Sequence, residues 1–583
     1  MQLATLDWVF IISFFVIFLI IGLVVSKRSG KDTKEFFLSG QNMPWWLLGI
    51  SMVATTFSAD TPNLVTDIVR QNGISGNWVW WAFLLTGMLT VFVYAKLWRR
   101  SKVLTDLEFY ELRYSGKEAA FLRGFRALYL GVFFNVMIMA SVCLAAIKIG
   151  GILFDLEPWE SVVYASIITV AYSSIGGLRG VIFTDFLQFI VAMVGSVWAA
   201  YFIITMPEIG GLDNLLQHEN VSDKLNFLPD FSDSKSLLTL LLIPIAVQWW
   251  SVWYPGAEPG GGGYIAQRML SAKDEKNAIG ATLLFNIAHY ALRPWPWILI
   301  ALASLVLYPQ LSDISAQFPK ATIGHDLGYS AMLTHLPKGL LGLVVASLIA
   351  AFMSTISTHL NWGSSYVALD FYKRFMKPEA SEKELVSVGR LSTVVLMILA
   401  ALLALQFESA LDTFNILLQI GAGTGLIFIL RWFWWRVNAY SEIVGMIVSF
   451  AIALFFEFTE LGLEDHEKLV LGVLITTIAW IVATMVTKPT DTKHLTKFYN
   501  SITPYGIGWN GFKRKAASEG AELAKTTDRF TIDLASMLLG VVFVYTALFG
   551  TGYIIYGNML GAIVLLGVAA LSGWLIFALW KKR

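Results

Sequence analysis

The sequence predicts an all-α integral membrane protein of about fifteen spans, built around an inverted repeat of five plus five helices. Three observations lead there. Of its 583 residues 56% are apolar and only 14% are charged, against about a quarter charged in soluble domains. Many stretches run longer than 18 apolar residues, the length that crosses a bilayer. Basic residues fall on alternate connecting loops, as they do when successive helices cross and return.

The spans read at about 7–26, 45–70, 77–98, 122–153, 159–176, 181–206, 236–256, 276–308, 338–373, 384–406, 411–433, 439–459, 467–487, 530–552 and 558–580. The first is too long for a signal-peptide core and lacks a basic lead and a small-residue cleavage site, so it reads as a retained helix. Lys27, Arg28, Lys31 and Lys34 follow it. Later basic loops hold Arg99, Arg100 and Lys102, then Arg179, then Arg268, Lys273 and Lys276, then Lys373, Arg374 and Lys377, then Arg436, and the chain ends in "KKR". The intervening loops ("QNGISG", "DLEPWES", "FESALD", "ELGLEDHE", "IIYGN") are poor in Lys and Arg. The N-terminus is therefore expected outside and the C-terminus inside, in a cell membrane of the bacterial inner-membrane kind. The expected domains are an extra span with its loop (1–44), a first repeat (45–206), a second repeat (236–436) and about four extra C-terminal spans (437–583). A polar segment at 488–529 reads as a solvated connector with a short surface helix in its middle.

Composition excludes several classes. A net charge of +1 gives no field for nucleic acid. The single cysteine, Cys143, can form no internal disulfide, and there is no Cys/His metal cluster, P-loop or nucleophile elbow. The chain is not expected to be an enzyme.

Two spans look interrupted near mid-membrane, where transporters build their sites from freed backbone groups. In "WWLLGISMVATTFSADTPNLVTDIV" the polar residues Thr55, Thr56, Ser58, Asp60 and Thr61 precede Pro62, which removes a donor and disfavours helix at Thr61. In "LLTLLLIPIAVQWWSVWYPG" Pro244 and Pro255 flank Gln248 and three tryptophans. These spans open the two groups of five. The other reading is a proline kink in the first case and interfacial tryptophans in the second. The ninth span carries "FMSTISTHLNW", with Ser354, Thr355, Ser357 and Thr358 inside five residues. At about 100° per residue the four hydroxyls cover an arc of roughly 160°, with Thr355 at one edge and Ser357 at the other. Neutral oxygens in a dry site suit a hard cation such as sodium; the alternative is back-bonding to carbonyls one turn earlier. Asp185, near the inner end of the sixth span, is a functional candidate because charge inside a membrane is costly; the alternative is an edge pair with Arg179.

The stretches "GGLRGVIFTDFLQ", "AQRMLSAKDEKNAIG", "TDLEFYELRY" and "ASLIAAFMSTISTHLN" resemble, in order, four motifs of the sodium/solute symporter family, whose members include sodium–glucose, proline and sialic acid transporters. The likeness covers about residues 5–460. It implies the LeuT-type five-plus-five fold and a principal sodium site made by carbonyls of Ala54, Phe57 and Ala351 with hydroxyls of Ser354 and Thr355. It implies a second sodium site at Asp185, Ser354, Ser357 and Thr358, and so two sodium ions per cycle. The chain departs from the family pattern at "SVWYPGAEPGGGGYIAQR", a longer, glycine-rich link in which Glu258 reads as a loop charge and "GGGG" as a hinge.

Substrate is expected between the two breaks. The candidates are Thr56, Asp60 and Thr61; Asn77, Trp78 and Trp81; Gln248, Trp249, Trp250 and Trp253; His289 and Arg293, which share a helix face; and Asn415 and Gln419. Tryptophans suit a sugar's apolar face, and an Asp60–Arg293 pair would leave a neutral polyol as the natural guest. Asp60 alone would suit an amine and Arg293 alone a carboxylate. The expected function is sodium-coupled symport of a sugar or other neutral polyhydroxylated solute. A carboxylate or amino acid is the alternative cargo, and a channel or membrane sensor a remote one.

Overall fold

The computed structural model describes residues 3–29, 33–252, 259–318, 324–407, 418, 421–459, 461–526 and 528–581. Described residues form helices and connecting turns, and their only β-type pairing is an isolated bridge between Met43 and Ala272. Among the described residues ten helices are long and apolar enough to cross a membrane, and shorter apolar helices cover Thr5–Phe18, Trp45–Thr56 and Ser234–Trp250. Together these correspond to thirteen of the expected spans. Of the other two, 411–433 is described at 418 and from 421 on, where it forms helix Gly425–Phe433, and 159–176 forms the start of one helical run, Pro158–Ile204.

That run is not one straight rod. Ser161 abuts Gly150 and Gly195 abuts Ser347. Phe154 packs on Trp8, and the neighbouring Asp7 bonds Gly339 and Gly342. Residues 161 and 195 are thus held near one end of the bundle, although a straight helix would separate them by about 51 Å. Arg179 meets Glu35 at 3.7 Å beyond the opposite end of the first helix.

The second span breaks where expected. Helix Trp45–Thr56 ends at Phe57 (φ −88°, ψ 69°), and a new helix runs Asp60–Asn72. Pro62 sits in the first turn of the second helix, where its missing N–H costs nothing. The seventh span breaks more widely. A π-turn at Leu238–Leu242 and a short helix, Ile243–Ala246, lead to a 3-10 turn at Gln248–Trp250. Among the described residues the next helix is Gly263–Ser271, with all nine residues buried.

The sequence assigned those nine residues to a cytoplasmic loop, and that assignment is corrected. Arg268 is wholly buried. The glycine run before it is packed rather than loose. Gly260 and Gly261 take φ of +87° and +81°, a region closed to most side chains. A Cβ on Gly260 would lie 3.3 Å from the Tyr94 ring, and Trp98 Nε1 donates to its carbonyl at 2.7 Å. Asp106, from the "TDLEFYELRY" stretch, accepts the Gly263 N–H at 2.8 Å and the Tyr366 hydroxyl, capping the resumed helix.

The ninth span is a helix from Leu340 to Ser365 without a break, nearly all of it buried. Its first turn is fixed by the first span, because Asp7 accepts the N–H groups of Gly339 and Gly342 at 2.7 and 2.8 Å. Gly342 is obligatory there, since a Cβ would come within 2.4 Å of the Asp7 backbone.

The segment at 488–529 is also no loose connector. Helices Thr492–Ile502 and Asn510–Ser518 bury Leu495, Phe498, Tyr499, Ile502 and Phe512. Arg113 lies over the rings of Phe498 and Trp509 at 5.3 and 5.2 Å. The following residues are clamped to the third span. Lys96 pairs with Asp533 (2.7 Å) and Asp528 (3.1 Å), and Arg100 with Asp528 (2.6 Å) and Glu275 (2.9 Å).

Burial works to raise the Asp528 carboxyl, but the hydrogen bond from Arg100 and the charge of Lys96 outweigh it and hold it below the usual carboxylate range. A depressed carboxylate stabilises the fold above its unfolded value and loses that effect as pH falls through the folded one. Asp528→Asn is therefore expected to lower unfolding stability by about 3 kcal/mol near pH 7, read as a lowered melting temperature in detergent. The gap from the parent protein should shrink below about pH 4; a gap that stays constant would show that the charge of Asp528 does not matter.

Candidate functional site

Two polar clusters meet at the broken second span. The first lies between its inner helix, the sixth span and the ninth. Asp185 is fully buried and accepts hydroxyls on both oxygens, from Ser51 at 2.5 Å and Ser354 at 2.6 Å. Thr355, one residue along the same helix, turns to the break and donates to the Thr55 carbonyl at 2.7 Å. Thr55 and Thr358 hydroxyls lie 3.2 Å apart. Ser357 bonds back to the Ser354 carbonyl at 3.1 Å. The Ala54 carbonyl accepts the Phe57 N–H at 3.1 Å, Ala351 is buried in the turn before Ser354, and the Phe57 ring rests on Trp297.

Sequence reasoning missed two members of this cluster. Ser51 lies one turn before Thr55 on the same face, a signal that was available. Arg268 was counted as a loop charge. Its guanidinium donates to Thr358 Oγ1 at 2.8 Å, to Ser51 Oγ at 3.3 Å and to Gln267 Oε1 at 3.0 Å, and it stands 3.8 Å from Asp185. Arg179 pairs with Glu35, so the edge pair with Asp185 does not form.

The second cluster lies on the other side of the break. Arg293 donates through Nη1 to the Thr56 carbonyl, through Nε to the His289 carbonyl at 3.1 Å, and through Nη2 to His289 Nε2 at 3.1 Å. A guanidinium has no lone pair to offer, so Nε2 is the acceptor and the ring proton sits on Nδ1, which donates to Thr56 Oγ1 at 3.0 Å. Thr56 in turn donates to the Val53 carbonyl at 3.0 Å, and Thr61 donates to the Thr56 carbonyl at 3.2 Å. Asp60 is half-buried; its charge acts on Arg293, and among the described residues it forms no ion pair within 4 Å. A π-turn over Ala288–Leu292 carries His289 into this cluster, a device frequent at functional sites.

The tryptophans divide. Trp80, which the sequence reading passed over, stacks on Tyr290 (5.7 Å, 19°) and meets His289 edge-on. Trp78 and Trp81 instead pack against Phe549 of a C-terminal helix, and Trp78 Nε1 donates to the Phe227 carbonyl. The Asn77 amide is used by the Ile74 carbonyl and Trp80 Nε1. Gln248 donates to the Val79 carbonyl at 2.6 Å, Trp249 is half-buried, and Trp250 packs beside Leu469 and Val473. Gln248 and Val79 border a cavity of ≈ 560 Å³ that opens past Asn72 and Glu464 on the side assigned as external. Trp253, Glu258, Asn415 and Gln419 lie outside the described residues.

Two broken spans, backed by a hydroxyl-bearing helix and a buried aspartate, are the architecture of a LeuT-type secondary transporter. Residues 36–449 match the model of the "Sodium:solute symporter family", and the chain belongs to that family. It is a multi-pass, sodium-coupled symporter of small solutes. Among curated relatives, the sodium/glucose cotransporter of Vibrio parahaemolyticus is 26% identical over 493 residues, covering 81% of this chain and 88% of the relative. The sodium/sialic acid symporter SiaT of Proteus mirabilis (strain HI4320) is 27% identical over 454 residues, 75% and 86%. The rabbit (Oryctolagus cuniculus) sodium/myo-inositol cotransporter 2 is 26% identical over 479 residues, 76% and 68%. A solved substrate-bound, outward-open Na+-coupled sialic acid symporter shares the fold, with a TM-score of 0.69 over 84% of this chain and 99% of that one at 23% identity.

Thr355→Val keeps bulk but leaves the Thr55 carbonyl without its donor. It is expected to cost about 1–3 kcal/mol of stability and to raise the sodium concentration for half-maximal uptake about tenfold, equivalent to 1.4 kcal/mol. Unchanged sodium activation in an uptake assay would remove Thr355 from the ion pathway.

Proposed function

We propose that the protein imports a neutral polyhydroxylated solute, a sugar or cyclitol, with two sodium ions per cycle. The observation that carries the cargo reading is the balance of charge at the break. Arg293 is fully buried, spends donors on neutral acceptors, and has Asp60 as the carboxylate whose charge reaches it. A guest that brings no charge leaves that balance intact. The Trp80–Tyr290 stack offers apolar ring faces beside Thr56, Thr61 and Asp60, which can accept and donate to hydroxyls. Relatives named for glucose, myo-inositol and sialic acid transport support the same class.

The first sodium site is assigned to carbonyls of Ala54, Phe57 and Ala351 with Ser354 and Thr355, the second to Asp185, Ser354, Ser357 and Thr358. Substrate falls to Thr56, Asp60, Thr61, His289 and Arg293 with Trp80, and Gln248 borders the cavity on the external side. The repeats are read as 45–206 and 236–436, with the extra helices outside them. Sodium between the ninth helix and the Thr55 end of the inner half-helix fixes the break, and the fixed break presents Thr56 and Arg293 to the solute. Each ligand then raises the other's affinity by the same factor. Across about 100 mV and a tenfold gradient, two sodium ions supply about 7 kcal/mol and one supplies half that, so stoichiometry decides how steeply solute is concentrated.

A carboxylate or amino acid is the second reading. It is favoured by one fact: Arg293 forms no direct carboxylate pair within 4 Å among the described residues.

Counterflow in proteoliposomes with glucose, myo-inositol, proline and sialic acid, with and without sodium, separates these readings. Exchange is expected with a neutral polyol in sodium and not in potassium, at two sodium ions per solute by parallel isotope fluxes. Exchange of the carboxylates alone, or a ratio of one, would overturn the corresponding part.

A further inference from the structure

We propose that Arg268 is a tethered cation that competes with sodium for Asp185, and that its expulsion releases the inner half of the seventh span. This rests on the two-sodium reading above.

Three features point to it. The guanidinium occupies the space assigned to the second ion, on Thr358 Oγ1 at 2.8 Å and 3.8 Å from the Asp185 carboxylate, with both charges fully buried. Within 4 Å of Asp185 the described residues offer one negative charge against that one positive charge, and the other partners are neutral hydroxyls of Ser51 and Ser354. A sodium ion added beside Arg268 would leave two cations on one carboxylate in a dry cage, where like charges repel strongly. Finally, Arg268 is not on the sixth or ninth helix. It belongs to Gly263–Ser271, the resumed half of the broken seventh span, which follows a glycine run with left-handed torsions. Its donors pin that half-helix to the second span through Ser51 and to the ninth through Thr358. Sodium arrival withdraws the anchor to Asp185, Ser51 and Thr358, and the half-helix keeps Asp106 at its N-terminus, Gln267 on the Phe37 carbonyl and Asn361, the Tyr264–His359 ring contact, and at its end the bonds of Gln41 and Met43 to the Leu270 and Ser271 carbonyls. Ion binding thus reports directly to a segment lying between the substrate break and the inner face.

The test uses full-length protein in nanodiscs. Hydrogen exchange of the backbone amides of Gly263–Ser271 is expected to quicken about tenfold on adding sodium in place of potassium, while Thr55 and Thr56 become more protected. Asp185→Asn should abolish the quickening and keep the protection. Arg268→Gln is expected to lower the sodium concentration for half-maximal isotope binding about tenfold. Arg268→Lys, which keeps charge but loses the fork, should lower it less. Sodium that slows exchange at Gly263–Ser271, or Arg268→Gln that weakens sodium binding as Asp185→Asn does, would make Arg268 a supporting residue and end the proposal. The exchange arm needs no Arg268 variant, so misfolding of the substitutions does not shield it. Loss of a second bound sodium in the parent protein would instead undo the two-sodium reading itself.

Discussion

Two carbonyls set free by a broken helix organise the centre of this protein. In a bilayer a backbone oxygen without a donor costs several kcal/mol, so an interruption persists only where side chains from other spans reach it. The Thr55 carbonyl is met by Thr355 of the ninth span, and the Thr56 carbonyl by Arg293 of the eighth and by Thr61. Adjacent carbonyls of one break therefore point into two different clusters. One is a cluster of hydroxyls around a buried carboxylate, closed by Arg268, the other an arginine–histidine and aromatic pocket. Whatever moves Thr55 moves Thr56, so with the sodium and solute sites proposed above a single peptide unit couples them.

Much of this was legible in the sequence, for reasons that differ by element. Spans announce themselves because lipid demands an unbroken apolar run. The break at Phe57–Ala59 was visible because Pro62 and five polar residues contradict that demand. The hydroxyl cluster was visible because four such side chains in five residues have no reason to lie in lipid. The arc computed for them holds in one respect: Thr355 faces the break while Ser354 faces Asp185. What failed was the inference from charge to solvent. Arg268 was placed in a loop because a basic residue after an apolar run usually marks the inner surface. Here the run had stopped at a break, and the arginine lies on its far half, paid for by Asp185 and three neutral acceptors. The positional rule reads net crossings and is blind to a helix that restarts.

The tryptophans mark a second limit. Three within four residues, "WVWW" with Val79 between, give no indication of which ring meets the pocket. That is settled by a tertiary partner: the C-terminal helix Phe530–Ile555 claims Trp78 and Trp81 and leaves Trp80 to Tyr290 and His289. Likewise the 488–529 segment carries its helical period openly, at Leu495, Phe498, Tyr499 and Ile502, yet its polar composition masked how firmly that face is held by Arg113 and Trp432.

The contact between Asp7 and the start of Leu340–Ser365 has a metric consequence. The carboxylate grips the N–H groups of Gly339 and Gly342 at the start of that helix, and no side chain can be inserted at Gly342. The hydroxyls three to four turns further on are thereby set at a fixed depth and azimuth relative to a span that belongs to neither half of the repeat. One residue gained or lost between Gly342 and Ser354 would turn the oxygens by about 100° and slide them by about 1.5 Å. The first helix thus works as a datum against which the ion cage is gauged.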